Sequence, residues 1–198
     1  MADCDKLQRA LAAIDAANAD DPQRIRVRGQ TRPKELAHGE LMSEWIERLR
    51  PDAGEALRLA ARAHHVRRWE IGRERYPEGR AGYHRWRRAL QEHHARIAGE
   101  ILAQVGYGEA LIGRVRQIVQ KQGPRRDPDA QAFEDALCLT FLETQFHDLA
   151  ARLDEEKLLH ITRKTLRGMS QTAIELAATL PLEPSDRAAI ERATLPCA

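Results

Sequence analysis

Histidine and aspartate side chains recur in the middle of the chain, on segments whose apolar residues have helical spacing. His38 lies early in one such segment, the pair His64-His65 in a second, and His94 in a third. Asp135 comes directly before the apolar core of a fourth segment. Imidazole and carboxylate groups together suit Zn, Fe, Ni or Mn without selecting one of these ions. These residues are therefore candidates for a site that binds a divalent metal.

An arginine-rich stretch follows the first histidine pair. Between residues 62 and 88, nine arginines stand against three glutamates, an excess of six positive charges in a chain whose net charge is +2. Guanidinium groups bind phosphate or carboxylate in bidentate fashion, and interleaved aromatic rings can stack on a base or hold guanidinium groups. The candidate substrate-binding residues are Arg67, Trp69, Arg73, Arg85, Trp86 and Arg88.

The ligand that this stretch predicts is an anion, such as a nucleotide, another phosphorylated metabolite or an RNA end. The sequence pI of about 8.5 is too mild to require a nucleic-acid backbone as the partner. A different interpretation stays open at this point. Surface arginines commonly pair with glutamates on neighbouring helices for little net stabilisation.

The elements that carry these residues are predicted to be helices, because apolar residues recur at helical spacing almost throughout. The alternation over residues 24–28 is the only strand-like stretch, and we expect an extended connector there. Small residues after Pro51 predict a central helix that includes His64-His65, and a long helix is expected from about Tyr83 to Val105. The predicted fold is all-α, with seven or eight helices in a single compact domain over residues 1–180. A tail with a short helix is expected over residues 181–198.

Composition limits the class of protein. The 198 residues are 42% hydrophobic and 31% charged, which suits a globular domain and argues against a membrane protein or a disordered chain. The first residues do not read as a secretory signal. Cys4, Cys138 and Cys197 are odd in number and far apart, so no disulfide framework is predicted. We expect a protein of the cytoplasm.

Two resemblances add to this interpretation. The segments AARAHHVRR, HHARIAGEIL and FEDALCLTFLE resemble, in order, motifs of the HD-domain metallohydrolases. From about Ile14 to Leu176 the chain more closely resembles an uncharacterised family, domain of unknown function 4202. The segments that carry this second likeness are PKELAHGELMSEWIERL, AARAHHVRRWEIGRERYP, RAGYHRWR and DEEKLLHITRKT.

The HD resemblance implies a ligand set. It makes His38 the first metal ligand, His64 the motif histidine and Asp135 the last ligand. His65 stands where that family has a metal-binding aspartate, and one imidazole nitrogen cannot bridge two ions as a carboxylate can. The resemblance therefore implies a mononuclear site of His38, Asp135 and either His64 or His65. Adjacent residues on a helix point about 100° apart, so we expect only one histidine of the pair to face the metal.

The same resemblance implies two catalytic residues. His94 is expected near a second metal or a substrate phosphate, and Arg68 takes the place of the motif lysine. The implied function is a metal-dependent phosphohydrolase that acts on a nucleotide or another phosphorylated small molecule.

Other functions stay open. One is an HD-like iron oxygenase with an anionic substrate, and another is a non-catalytic helical module that binds RNA or protein through its arginine-rich face. A homodimer formed through the amphipathic helix over residues 154–179 is also left open, and no membrane partner is expected.

Overall fold

The computed structural model describes residues 2–124 and 126–194. Over these residues the chain forms ten α-helices and one β-hairpin, together with two 3-10 turns at Arg68–Glu70 and Arg73–Arg75. The first elements are α1 (Ala2–Ala19), β1 (Arg24–Val27), β2 (Gln30–Pro33), α2 (Lys34–Leu49), α3 (Glu55–Ala63), α4 (Gly79–Val105) and α5 (Glu109–Val119). They are followed by α6 (Pro128–Thr144), α7 (Phe146–Ala150), α8 (Glu155–Gly168), α9 (Gln171–Ala177) and α10 (Pro184–Thr194).

The prediction of an all-α fold is confirmed, although the described residues hold more helices than the seven or eight expected. The additional helices, α7 and α9, are short. The stretch over residues 154–179, predicted as one helix, forms the two helices α8 and α9. Ser170 separates them, because its side-chain oxygen accepts a hydrogen bond from the backbone N–H of Ala173 and so begins α9. No helix in the part of the chain that the structure describes combines the length and apolarity needed to cross a membrane.

The chain divides into two compact units, Met1–Phe133 and Glu134–Ala198, and the boundary falls inside α6. The predicted extents, residues 1–180 for the domain and 181–198 for the tail, remain predictions. Residues 195–198 of that tail, which include Cys197, lie outside the described residues, as does the side chain of Cys4.

Helix α3 is the centre of the first unit, as its small residues predict. It contacts α1, α2, α4 and α5. Both of its leucines and three of its alanines (Ala60, Ala61 and Ala63) are buried, and the neighbouring helix α2 approaches its backbone closely at Gly39. A β-carbon on Gly39 would lie only 2.7 Å from the carbonyl oxygen of Arg62. The glycine therefore permits the close approach of α2, on which it lies, to α3.

The predicted extended connector is one strand of a hairpin. Strand β1 pairs antiparallel with β2, with Val27 opposite Gln30. Arg28 and Gly29 form the turn with φ values of 48° and 82°, the two consecutive positive values that a tight hairpin needs. The hairpin leads directly into α2 and contacts it.

Helix α3 is shorter than predicted. It ends at Ala63, so His64 and His65 lie in the turn that follows and not on the helix. Arg67 completes this turn with a φ of 51° and a ψ of 37°, a left-handed conformation that is uncommon for a residue other than glycine. Helix α4 begins at Gly79, four residues before the predicted start, and Gly106 ends it with a φ of 92° as expected.

The second unit contains the rest of α6 and the four helices after it. Asp154 begins α8 by accepting a hydrogen bond from the backbone N–H of Lys157. Leu158 and Leu166 on α8 are buried, and α8 contacts α7 and α10. The apolar stripe of the amphipathic helix thus has partners in its own chain, and the homodimer remains a prediction.

Candidate metal centre

Glu35 is the centre of a buried cluster that also contains His38 and His65. Its carboxylate oxygen Oε2 lies 3.2 Å from His38 Nδ1 and 3.1 Å from His65 Nδ1. Because a carboxylate only accepts, the two imidazoles donate these hydrogen bonds. One candidate ligand atom from each residue lies within 4.8 Å of the other two. Only 3% of the Glu35 side chain is exposed.

Residues at and just after the end of α1 form hydrogen bonds with both segments that carry the cluster, the first turn of α2 and the turn after α3. Asp21 accepts a 2.9 Å hydrogen bond from the backbone N–H of Glu35, which anchors the first turn of α2. The buried Asn18 side chain donates to the carbonyl oxygen of Glu35 at 3.5 Å. Its own oxygen accepts from the backbone N–H of Arg67 at 3.0 Å. Asn18 therefore links Glu35 to the turn that carries His65.

The histidine pair is arranged face to face. The rings of His64 and His65 stack with centroids 3.7 Å apart and planes inclined by 26°. His64 is buried, and neither of its ring nitrogens has a hydrogen-bond partner among the described residues. The sequence predicts that the two histidines face different directions because it places both of them on α3. The helix ends at Ala63, before either histidine, so that reason does not apply. Of the two, His65 contributes to the cluster.

His94, on α4, lies in the same region. Its Nδ1–H donates a 2.9 Å hydrogen bond to the carbonyl oxygen of Val66, since a carbonyl can only accept. In the neutral imidazole this bond leaves the lone pair on Nε2, and Nε2 is buried with no partner among the described residues. The His94 ring lies 5.5 Å from the His65 ring. Metal-binding histidines are commonly oriented in this way: one ring nitrogen donates to a backbone carbonyl, and the other keeps its lone pair for the metal.

The electrostatics favour an ionised Glu35 and neutral His64, His65 and His94. Burial raises the pKa of Glu35, but the charge of His65 and the hydrogen bonds from His38 and His65 outweigh it and hold the pKa well below its usual range. Burial lowers the pKa of His65 to about 4, although Glu35 opposes this shift. Burial also holds the pKa values of His64 and His94 well below the ordinary value. At neutral pH each of these imidazoles has one lone pair and need not lose a proton to bind a cation; where Nδ1 donates to Glu35, that lone pair is on Nε2.

Arg68 stands at the edge of the cluster. Its Nε lies 3.8 Å from Glu35 Oε1, and its guanidinium group lies over the Trp86 ring, 4.9 Å from the centroid. The indole N–H of Trp86 donates to the carbonyl oxygen of Ile71 at 3.0 Å, which fixes the ring. Burial lowers the pKa of Arg68, and Glu35 raises it. The arginine is therefore held in place by an aromatic face and a carboxylate, with one side still reached by solvent.

The other predicted substrate-binding residues are spread along the same stretch. Arg67 lies 3.8 Å from Glu70, and Arg88 lies 3.1 Å from Glu92. These two form surface pairs, each with a glutamate of the same segment and not of a neighbouring helix as the alternative interpretation expects. Arg73 donates to the carbonyl oxygen of Tyr76. Trp69 is partly buried in the 3-10 turn, and Arg85 is exposed on α4. Their role in binding a substrate stays a prediction.

Asp135 belongs to the second unit. Its carboxylate is buried and accepts a 2.9 Å hydrogen bond from the backbone N–H of Ser170. The carboxylate in the Glu35 cluster comes from α2 and not from α6. That Asp135 is a metal ligand therefore stays a prediction.

Glu35 is the functional candidate that sequence reasoning missed. A glutamate in the first turn of a helix has an ordinary structural explanation, because it complements the positive end of the helix dipole. The signal that would have found it is its position three residues before His38, since residues three apart share one face of a helix. Arg87 was also not among the candidate binding residues that the sequence predicts.

Comparisons with known proteins place the chain in a family. No curated protein and no solved structure matches it. A family model described as domain of unknown function (DUF4202) matches residues 8–190, which is most of the chain. The likeness between the chain and this family, expected from its helical segments, is thereby confirmed, whereas the resemblance to HD-domain proteins remains an expectation. The chain belongs to the DUF4202 family.

Proposed function

We propose that the protein is a metal-dependent phosphohydrolase that acts on a nucleotide or another phosphorylated small molecule. The observation that carries the proposal is the cluster in which Glu35, His38 and His65 offer a carboxylate oxygen and two imidazole nitrogens within 4.8 Å of one another. Two imidazoles and one carboxylate are a donor set of catalytic zinc sites, which leave a further coordination position open.

The distances from Glu35 to the two histidines fit a single ion. Two ligands bound at about 2.1 Å lie roughly 3.0–3.4 Å apart for octahedral or tetrahedral angles. The distances of 3.2 and 3.1 Å from Glu35 Oε2 to the two Nδ1 atoms fall in this range. In the absence of metal the same atoms form hydrogen bonds with one another, so the arrangement is preformed; an ion bound at Nδ1 would require the proton of that imidazole to move to Nε2. A bound divalent ion would lower the pKa of a water and supply a nucleophile at neutral pH.

The residues of the chain supply the remaining requirements of phosphate-ester hydrolysis. Arg68 offers a fixed positive charge beside the cluster, suited to phosphate oxygens. His94 offers the unpartnered Nε2 lone pair, which can accept a hydrogen bond from the attacking water and orient it. Since the pKa of His94 lies well below its ordinary value, we assign it this orienting role and not that of a strong base. The reaction adds one water across the P–O ester bond, with hydroxide going to phosphorus and a proton to the leaving oxygen.

The test is a substrate screen with defined metals. Protein purified without chelators or a polyhistidine tag is loaded separately with Zn, Mn, Ni or anaerobic Fe(II) and incubated with nucleotides and phosphorylated metabolites. Phosphate release is expected with at least one metal and should disappear with a chelator and in His65→Ala. His160→Ala is the matched control, because His160 is an exposed histidine on α8. Equal phosphate release by His65→Ala and the wild type would refute the proposal.

A second candidate function is favoured by the same donor set. Two histidines and one carboxylate with open positions are typical of mononuclear non-haem iron oxygenases. That function predicts oxygen uptake by the Fe(II)-loaded protein in the presence of an anionic substrate, with no phosphate release under any metal. A non-catalytic helical module, the third interpretation, predicts that the purified protein carries no stoichiometric metal.

A further inference from the structure

A groove runs along one face of α4. It has a volume of about 480 Å³. The residues on which the argument depends are Tyr83, Arg87, Arg88 and Gln91 from α4, with Gln120 and Gln122 from the segment after α5. On α4, Tyr83, Arg87 and Gln91 recur at intervals of four, and Arg88 lies three residues before Gln91, so these residues line one side of the helix. The volume lies within the range of small-ligand sites.

Tyr83 gives this groove an aromatic wall. Tyr83 is 46% exposed, and no other large hydrophobic residue in the part of the chain that the structure describes is exposed to this extent. The ring lies 5.8 Å from that of Trp86 and is inclined to it by 54°. An exposed aromatic ring next to a polar groove is a surface on which a nucleobase can stack.

Arg87 lines the groove, and the Arg68 guanidinium lies over the ring of Trp86, the residue that precedes Arg87 on α4. The positive charge of Arg87 adds to burial in lowering the pKa of Arg68. Arg88 on the same face has Glu92 as its partner at 3.1 Å. Within the described residues no carboxylate forms an ion pair with Arg87. An anion bound by both Arg68 and Arg87 would make two attractive contacts with positive charges.

A series of side-chain contacts connects the groove to the candidate metal centre. Tyr83 touches Trp86, Trp86 carries the Arg68 guanidinium at 4.9 Å, and Arg68 Nε lies 3.8 Å from Glu35 Oε1. A ligand with a planar base at one end and a phosphate at the other would place the base on Tyr83 and the phosphate next to the cluster.

We infer that the α4 groove is the nucleoside subsite of the protein, in which the base stacks on Tyr83 while Arg68 and Arg87 hold the phosphate of a nucleotide. The inference rests on the proposed function and narrows its substrate class from phosphorylated small molecules to nucleotides. Gln91, Gln120 and Gln122 supply amide groups that can pair with base edges.

The experiment measures binding and not turnover, so that it does not depend on the metal. Isothermal titration calorimetry in the presence of a chelator compares adenosine, guanosine, cytidine and uridine 5′-monophosphates with inorganic phosphate. The variants are Tyr83→Ala, Tyr83→Phe and Arg87→Gln. Arg96→Gln is the matched control, because Arg96 is an exposed arginine of α4 that pairs with Glu100 away from the groove.

At least one monophosphate should bind tenfold or more tightly than phosphate, an advantage in the range that one stacked base provides. Tyr83→Ala should abolish the advantage, Tyr83→Phe should keep it, and Arg87→Gln should weaken the binding of nucleotide and phosphate alike. Arg96→Gln should bind as the wild type does.

The inference is overturned if no monophosphate binds more tightly than phosphate, or if Tyr83→Ala keeps the advantage. Tighter binding of a single-stranded RNA than of any monophosphate would also overturn it, in favour of a nucleic-acid surface. Because metal is excluded, a failure here is distinct from a failure of the hydrolase proposal, which appears as a missing metal or missing phosphate release.

Discussion

Glu35 Oε2 and His65 Nδ1 lie 3.1 Å apart although thirty residues separate them in the sequence. The same oxygen accepts a hydrogen bond from His38. A carboxylate buried to this degree is costly unless its partners compensate the loss of water. The two imidazoles provide that compensation, which makes Glu35 the residue on which the cluster depends.

Replacing Glu35 by alanine is expected to destabilise the metal-free protein. The substitution leaves two buried imidazole N–H groups without their acceptor, so we expect the free energy of unfolding to fall by about 3 kcal/mol. Chemical denaturation in the presence of a chelator measures it. Glu44→Ala is the control on the same helix: Glu44 pairs with Arg28 at the surface, and its loss should cost less than about 1 kcal/mol. Equal effects of the two substitutions would contradict this account of Glu35.

Replacing Gly39 by alanine should destabilise the protein through a steric conflict. The added β-carbon would meet the carbonyl oxygen of Arg62 at 2.7 Å, and backbone atoms cannot move away cheaply. We expect a loss of about 1–3 kcal/mol in the free energy of unfolding. Gly113→Ala on α5 should have the opposite effect and raise the free energy of unfolding. No atom lies within 4 Å of its β-carbon, and a helix prefers alanine to glycine by up to about 1 kcal/mol. If both substitutions stabilise the protein, the close approach of α2 and α3 is wrong.

Much of the fold could be predicted from local sequence signals. Gly106 ends α4 because a left-handed residue is needed there, and Asp127-Pro128 begins α6 with an aspartate that accepts from two backbone N–H groups. The turn that carries His65 could not be predicted in this way. It depends on Arg67 in a left-handed conformation, which is stabilised by Asn18 from α1, a residue 49 positions away.

The candidate site was only partly predictable for a similar reason. The histidines stand out by type, but a glutamate among thirty acidic residues does not. Glu35 is distinguished by its burial and by the turn that brings His65 to it, and both are tertiary features. The orientation of His94 likewise depends on the carbonyl of Val66, which no side-chain pattern reveals.

Acid should destabilise the metal-free protein at a pH where most folded domains are still stable. The pKa of His65 is about 4 in the folded state against roughly 6.5 in an unfolded chain. The unfolded chain therefore binds more protons as the pH falls below 6.5, and the free energy of unfolding decreases.

His65 alone should account for a loss of about 2 kcal/mol between pH 7.5 and 5. His64 and His94 act in the same direction, and Glu35 adds to the loss at still lower pH because its pKa is held below that of an unfolded glutamate. Denaturation curves at several pH values test this, and the dependence should be shallower in His65→Gln. A free energy of unfolding that is constant from pH 7.5 to 5 would show that the imidazoles are not held neutral by burial.

The central claim is that Glu35, His38 and His65 bind one divalent ion, and the most direct measurement is elemental analysis. Protein purified without chelators or a polyhistidine tag should contain about one metal ion per chain. Glu35→Gln and His65→Ala should lose it, while Glu44→Gln should retain it; the same analysis of Asp135→Asn shows whether that carboxylate also contributes. Metal content that is unchanged in both Glu35→Gln and His65→Ala would contradict the claim.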